Sequence, residues 1–179
     1  MMNKPQIAPV TLEEYNPKWI EMFESEKQII TDAIGKYITS IEHIGSTSIE
    51  GLVAKPEIDI LIGVVRLSDV DLCLEAFNKL GYVYYQHFEE FEPERRYFRK
   101  SDGIIPLVHI HIYEEASAAR RERIVFRDYL RVHPEIRDRY AEHKLSLAKK
   151  FSGDRLEYSH SKNYFISNII QDLKKDGLL

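Results

Sequence analysis

A single α+β domain is the fold class this sequence predicts: a mixed β-sheet with helices packed against it, followed by a helical C-terminal third. Three observations carry that expectation. Runs at 38–45, 57–65, 82–87, 95–100 and 107–113 are apolar or alternate, with the length and period of strands. Stretches 17–34 and 68–80 repeat their apolar residues at helical spacing. From Ser117 onward the texture is helical to the end.

The first helix follows Pro17. Trp19, Ile20, Phe23, Ile29, Ile30 and Ile34 form its inner stripe, with Glu21, Glu24 and Glu26 on the wet side. Ser68 is placed to cap the next helix, with Asp71 three residues on as the reciprocal acid. Val70, Leu72, Leu74, Phe77 and Leu80 carry that helix to a stop at Gly81. In the last third, His133-Pro134 starts a new helix and Ser152-Gly153 separates the final one. No repeat or low-complexity linker divides the chain. Its 179 residues, 44% hydrophobic, suffice for one core. Residues 1–179 therefore read as one domain, with 116–179 its helical part.

Composition excludes several classes. No apolar run approaches a membrane span, and Met1-Met2-Asn3-Lys4-Pro5 lacks the apolar core of a signal peptide. The single cysteine, Cys73, sits in an apolar helical pattern, reads as buried filler and fits a reducing compartment. The expectation is a cytoplasmic protein without a membrane partner. A net charge of −4 argues against general polyanion binding. Arg120, Arg121, Arg123, Arg127 and Arg131 are interleaved with Glu122, Asp128 and Glu135, so they read as a salt-bridged helix face and RNA is disfavoured.

The candidate chemistry centres on two strands. Gly45-Ser46-Thr47 follows the first strand, where glycine allows close backbone approach and a hydroxyl can add to the free N–H groups of a helix start. An ordinary capped turn is the bland alternative. Asp59 lies in an otherwise buried apolar strand, where a charge is costly unless it is paired or binds a cation. A salt bridge with Lys55 is its bland alternative. Glu57 shares the face of Asp59 and could pair with it as a second carboxylate, but reads rather as an exposed strand-start acid. His109 and His111, two apart in an apolar strand, share a face and suit a borderline transition metal together with Asp59; one core histidine bonded to backbone and one solvated is the alternative. Glu42 and His43 point to opposite faces, and His43 is the choice for the cleft side. Arg95, Arg96, Arg99 and Lys100 bracket Tyr97 and Phe98. Their guanidinium groups could grip phosphate, and the aromatics could bury or stack on a base. Lys162 stands one helical turn after Tyr158 and could close over a triphosphate.

Several blocks in one order give the chain a family resemblance. They are Tyr15-Asn16-Pro17 with Trp19, Ile41–Ser46, Gly51-Leu52 with Ala54-Lys55-Pro56 and Ile58-Asp59-Ile60, Arg95–Lys100, His109-Ile110-His111, Phe126–Arg131 with His133-Pro134, and Lys162 with Phe165-Ile166. On these blocks the chain resembles the GrpB family, over nearly all its length, and through it the nucleotidyltransferases of the DNA polymerase beta superfamily. The resemblance implies a nucleotidyltransferase-like mixed sheet. It also implies a nucleoside triphosphate, or another phosphate-bearing small molecule, as ligand. Gly45, Ser46, Thr47, Lys55, Arg96, Arg99 and Lys162 would take the phosphates, and Asp59, His109 and His111 would be catalytic. A divalent cation is implied at Asp59, His43, His109 and His111, Mg or Mn by analogy and Zn or Ni through the histidines. The superfamily's acid-x-acid pair would need a carboxylate at 61, and Leu61 stands there. Three activities stay open: nucleotidyl transfer, nucleotide binding by a catalytically degenerate or accessory relative, and hydrolysis at a His/Asp metal centre.

Overall fold

A computed structural model describes residues 9–101 and 106–179. The Met1–Pro5 segment read for a leader lies outside them. Five strands form one sheet, β1 (Ile38–Ile44), β2 (Ile58–Val64), β3 (Val83–Tyr84), β4 (Arg96–Ser101) and β5 (Pro106–Glu114), in the order β1-β2-β5-β4-β3. β2 and β5 run parallel and the other neighbours antiparallel, so the sheet is mixed.

Alternation along the strands gives the sheet two unlike faces. Ile58, Ile60, Ile62 and Val64 of β2, with Val108, Ile110 and Ile112 of β5, form one apolar face. Helix α1 (Lys18–Ile34) packs there through Trp19, Phe23, Ile30 and Ile34, while Ile20 and Ile29 stay largely exposed. The expected helix over 68–80 is two short ones, α2 (Leu67–Asp71) and α3 (Leu74–Lys79), with Leu72 exposed between them. Ser68 is not its cap. The Leu67 N–H, where α2 begins, donates to Glu114 Oε1 at 3.2 Å, so a carboxylate from the end of β5 supplies the start signal. Cys73 is buried in this core, as its pattern implies. The strand expected over 82–87 pairs only at Val83–Tyr84; a short 3₁₀ segment, Gln86–Glu90, follows.

The opposite face carries the polar residues and is covered at one end by the helical third. Helix α4 (Ala118–Val132) starts on Ser117, whose hydroxyl accepts from the Arg120 N–H. Ala119 and Ile124 seal Ile44, Leu61 and Tyr113 beneath it. Four of its five arginines are paired, to other elements as much as to their own helix. Arg120 meets Glu115 and Ser40, Arg123 meets Glu92, Arg127 meets Glu42 and the His43 carbonyl, and Arg131 meets the Ser48 carbonyl. They fasten α4 to the sheet. After the break at His133-Pro134 come α5 (Pro134–Lys150) and α6 (Arg155–Lys175), the latter capped by Asp154. No helix among the described residues is long and apolar enough to cross a membrane.

Candidate functional site

A cleft of about 1160 Å³ opens over the polar face of the sheet, bounded by the 3₁₀ segment on one side and α5 and α6 on the other. Among the described residues, eight Lys or Arg against four Asp or Glu line it, in a chain whose net charge is −4. The cleft is therefore the basic region of a mildly acidic protein.

Asp59 sits at its floor beside Gly45. Gly45 has φ +71°, and a Cβ there would stand 2.1 Å from Asp59 Oδ2 and 2.9 Å from its Cβ. Both the backbone and the space require glycine, so the Gly45 backbone lies directly against the carboxylate. The helix expected after Gly-Ser is one 3₁₀ turn, Ser46–Ser48. Side-chain bonds close it: Ser48 Oγ donates to the Gly45 carbonyl at 2.7 Å, and Thr47 Oγ1 donates to the Glu57 carbonyl at 3.0 Å. Gly51, at φ +76°, then turns the chain back towards β2 before a longer helix can grow.

His109 and His111 project from β5 beside Asp59. Asp59 is paired in register with His109, and Leu61 with His111. His109 Nδ1 lies 3.4 Å and His111 Nε2 3.7 Å from Asp59 Oδ1. Burial pushes the Asp59 carboxyl up, but contacts with His109 and His111 outweigh it and hold it well below the usual carboxylate range. Burial pushes the His111 imidazole down to about 4 against the pull of Asp59. Asp59 is thus an ionised carboxylate flanked by imidazoles.

Two predicted site residues lie elsewhere. His43 pairs in register with Ile60 and so faces the α1 side, where its ring stacks on Phe23 at 4.7 Å. Its Nε2 contacts Thr47 Oγ1, and burial lowers its pKa to about 4. His43 cannot share a cation with Asp59 across the sheet. Arg96 also lies on the far face, paired with Asp71 and Glu89. Alternation turns Tyr97 and Arg99 into the cleft and Phe98 into the core. Glu57 is not an exposed strand-start acid. It is 5% exposed and pairs with Lys55 at 2.7 Å and Arg155 at 2.6 Å.

Ser46, Thr47, Lys55, Arg99 and Lys162 line the cleft with Gly45 and Asp59. Sequence reasoning missed Lys144, which is 1% exposed. Its Nζ donates to Ser46 Oγ at 3.0 Å and to the Val53 carbonyl, and it lies 4.8 Å from the Tyr140 ring. Burial, with Lys162 and Lys55 nearby, pushes the Lys144 ammonium down to about 6. The signal was present: Lys144 interrupts a buried helical stripe between Tyr140 and Leu147. Lys162 is lowered too, by burial and then by Lys55, and has no hydrogen bond or ion pair among the described residues.

A mixed sheet carrying helices on both faces, with a basic cleft around the half-buried Asp59, defines an α+β protein of the class the sequence predicts. Within that class the chain belongs to the GrpB family, whose model, described as GrpB protein, matches residues 9–172. It is 34% identical over 178 residues to the glutamate-rich protein GrpB of Alkalihalophilus pseudofirmus, covering 96% of this chain and 98% of that one. It is 37% identical to UPF0157 protein YqkA of Bacillus subtilis over 90% of this chain, which spans 46% of that relative's length. Among solved structures it is similar to the conserved protein GrpB from Enterococcus faecalis, with a TM-score of 0.85 and 35% identity, covering 94% of this chain and 100% of that one.

Proposed function

We propose that the cleft binds a nucleoside triphosphate with a divalent cation and transfers its nucleoside monophosphate to an acceptor. One observation carries this reading. Lys144 and Lys162, neither paired with a carboxylate among the described residues, line the same cleft as Ser46 and Asp59. Amines without carboxylate partners, crowded together and held below their ordinary pKa, are stabilised by an incoming polyanion, which favours their charged form. Lys55, Lys144, Lys162 and the Ser46 hydroxyl would hold the outer phosphates.

The donor set fits a cation in part. Two ligands on one ion with bonds of about 2.0–2.2 Å are separated by roughly 3.3–3.6 Å in a tetrahedron. The Asp59–His109 and Asp59–His111 distances lie near that range. Among the described residues, however, no three His, Cys, Asp or Glu side chains are arranged to hold a metal. Asp59 would therefore supply one hard oxygen, with triphosphate oxygens and water completing the shell, as Mg²⁺ prefers. When bound, the cation would neutralise charge on the transferring phosphoryl group. In the transfer, an acceptor oxygen forms a bond to the α-phosphorus as the α–β bridging bond breaks. Pyrophosphate leaves with that bond's electron pair, and the acceptor proton passes to solvent.

Binding without transfer is the second reading. The burial of Leu61 favours it, because it leaves Asp59 without the partner acid of a two-metal site.

A thermal-shift and calorimetric titration with ATP, with and without Mg²⁺ or Mn²⁺, tests the proposal. At a hundredfold excess over Kd a ligand stabilises by about 2.7 kcal/mol, or roughly 5–11 °C for a chain of this size. Asp59→Asn is expected to remove the metal-dependent part of the shift, read from the variant's own melting temperature, and to leave the metal-free binding in place. No shift with any nucleoside triphosphate would sink the reading. Metal-dependent binding without pyrophosphate release in the presence of acceptors would select the second one.

A further inference from the structure

The register across the sheet lays out a row of residues. Ile44, which precedes the Gly45 turn, pairs with Asp59; Asp59 pairs with His109; His109 pairs with Arg99. At about 4.8 Å per strand, Arg99 lies about 10 Å from Asp59, on the side away from Ser46 and Lys144. The cleft also exceeds the roughly 300–1,000 Å³ that a single small ligand occupies.

Arg99 differs from the other cleft arginines. Arg95 and Arg123 pair with Glu92, Arg127 with Glu42, and Arg155 with Glu57. Arg99 makes no ion pair among the described residues. Its Nε donates to the Tyr97 hydroxyl at 2.9 Å, and its guanidinium lies 4.7 Å from the Tyr85 ring, 5.0 Å from Tyr97 and 5.5 Å from Phe88. Three rings and one hydroxyl fix the plane of the fork, while its terminal nitrogens have no protein partner among the described residues and are not sealed from the cleft. A pre-oriented, uncompensated guanidinium is the donor that two oxygens of one anion can meet with parallel hydrogen bonds. Tyr85 and Phe88, half-buried and lining the cleft beside it, add an apolar wall.

We propose that Arg99, with Tyr85 and Phe88, forms the acceptor subsite, and that the acceptor is a small molecule bearing a carboxylate or phosphate on a flat or apolar body. This rests on the triphosphate reading for the opposite arm, where Lys55, Lys144 and Lys162 hold the phosphates. Arg99, expected from the sequence to join them, lies two strands from Asp59 on the other side and is reassigned to the acceptor. Binding the anion at Arg99 sets the acceptor across Asp59 from the triphosphate, the arrangement that transfer between two substrates requires.

The test uses the full chain saturated with Mg²⁺ and a non-hydrolysable ATP analogue. Benzoate, phenyl phosphate and neutral benzyl alcohol are then titrated calorimetrically. At least one of the two anions is expected to bind, with benzyl alcohol at least tenfold weaker, and whichever anion binds tells carboxylate from phosphate. Arg99→Met is expected to weaken the anion at least tenfold and leave the affinity for the ATP analogue within twofold. The subsite is overturned if neither anion binds the saturated wild type, or if anion binding survives Arg99→Met. Should the ATP analogue itself fail to bind, the anions are titrated into the free protein. Arg99-dependent binding there would keep the anion subsite while the transferase reading falls.

Discussion

Replacing Lys144 by Met is expected to stabilise the protein most at and below about pH 6 and to lose most of that gain by about pH 9.5. The unfolded chain protonates this amine near its ordinary value of 10.5, whereas the folded chain does so only near 6. Between those limits the unfolded state carries the extra proton, so wild-type stability rises with pH, by about 1.4 kcal/mol per unit from this group alone. Over three units that amounts to about 4 kcal/mol. Below the folded value both states are protonated and the slope ends. His43 and His111, lowered to about 4, titrate below the window, and Lys162 is common to both proteins, so the difference between variant and wild type isolates Lys144. The lost hydrogen bonds to Ser46 and the Val53 carbonyl subtract about 1 kcal/mol each from the gain without adding a pH dependence. Denaturant melts at four or five pH values measure this directly. Parallel slopes in the two proteins would show that Lys144 is an ordinary charged lysine.

The same side chain couples proton uptake to ligand binding. A polyphosphate beside Lys144 favours its charged form, so binding above about pH 7 should draw in close to one proton. Calorimetry of tripolyphosphate in buffers of unlike ionisation enthalpy reads that uptake. Lys144→Met should reduce that uptake to what the lowered Lys162 amine contributes and weaken binding at least tenfold.

Much of this fold was legible because strands and helices advertise themselves by period. The Ile58–Val64 run, the 107–113 run and the breaks at His133-Pro134 and Ser152-Gly153 all lie where patterning puts them. What escaped depended on partners distant in sequence. Ser68 has the form of a cap, but Glu114 reaches across from β5 to do the work. Arg96 and Arg99 have the same side chain and sit three residues apart. Only the sheet's alternation sends one to Asp71 and Glu89 and the other into the cleft. His43 could be assigned to either face from its neighbours, and the stacked ring of Phe23 decides it. Glu57 has the local pattern of a wet strand-start acid, and Arg155, ninety-eight residues on, covers it. Spacing within one strand puts His109 and His111 on a shared face, but the β2–β5 pairing that sets them against Asp59 joins residues fifty apart and was legible only through the family resemblance.

Introducing the missing acid by Leu61→Asp is expected to destabilise the protein by about 3–5 kcal/mol, rather than to complete a two-metal site. Leu61 has no exposed surface and packs against Ile44, Tyr113, Ala119 and Ile124, under α4. A carboxylate there must shed its water with little to replace it. Its own pKa would rise above the unfolded value, so the folded state would bind the extra proton and stability would fall as pH rises through that interval. Leu61→Asn, which loses the same apolar contacts but cannot ionise, should be destabilised without this pH dependence, and the pair separates charge from packing. Arg127, bound to Glu42, the register partner of Leu61 on the neighbouring strand, is a source of rescue. If it swung across, Leu61→Asp would retain wild-type stability and show a pH profile no steeper than that of Leu61→Asn. A stable Leu61→Asp protein that also gained metal-dependent triphosphate binding would mean that position 61 opens to the cleft. The expected outcome, a costly acid under a closed helix, leaves Asp59 as the one carboxylate the Gly45 turn can present. Any cation held there would then depend on the ligand for most of its coordination, and metal affinity would be measurable only when the triphosphate is present.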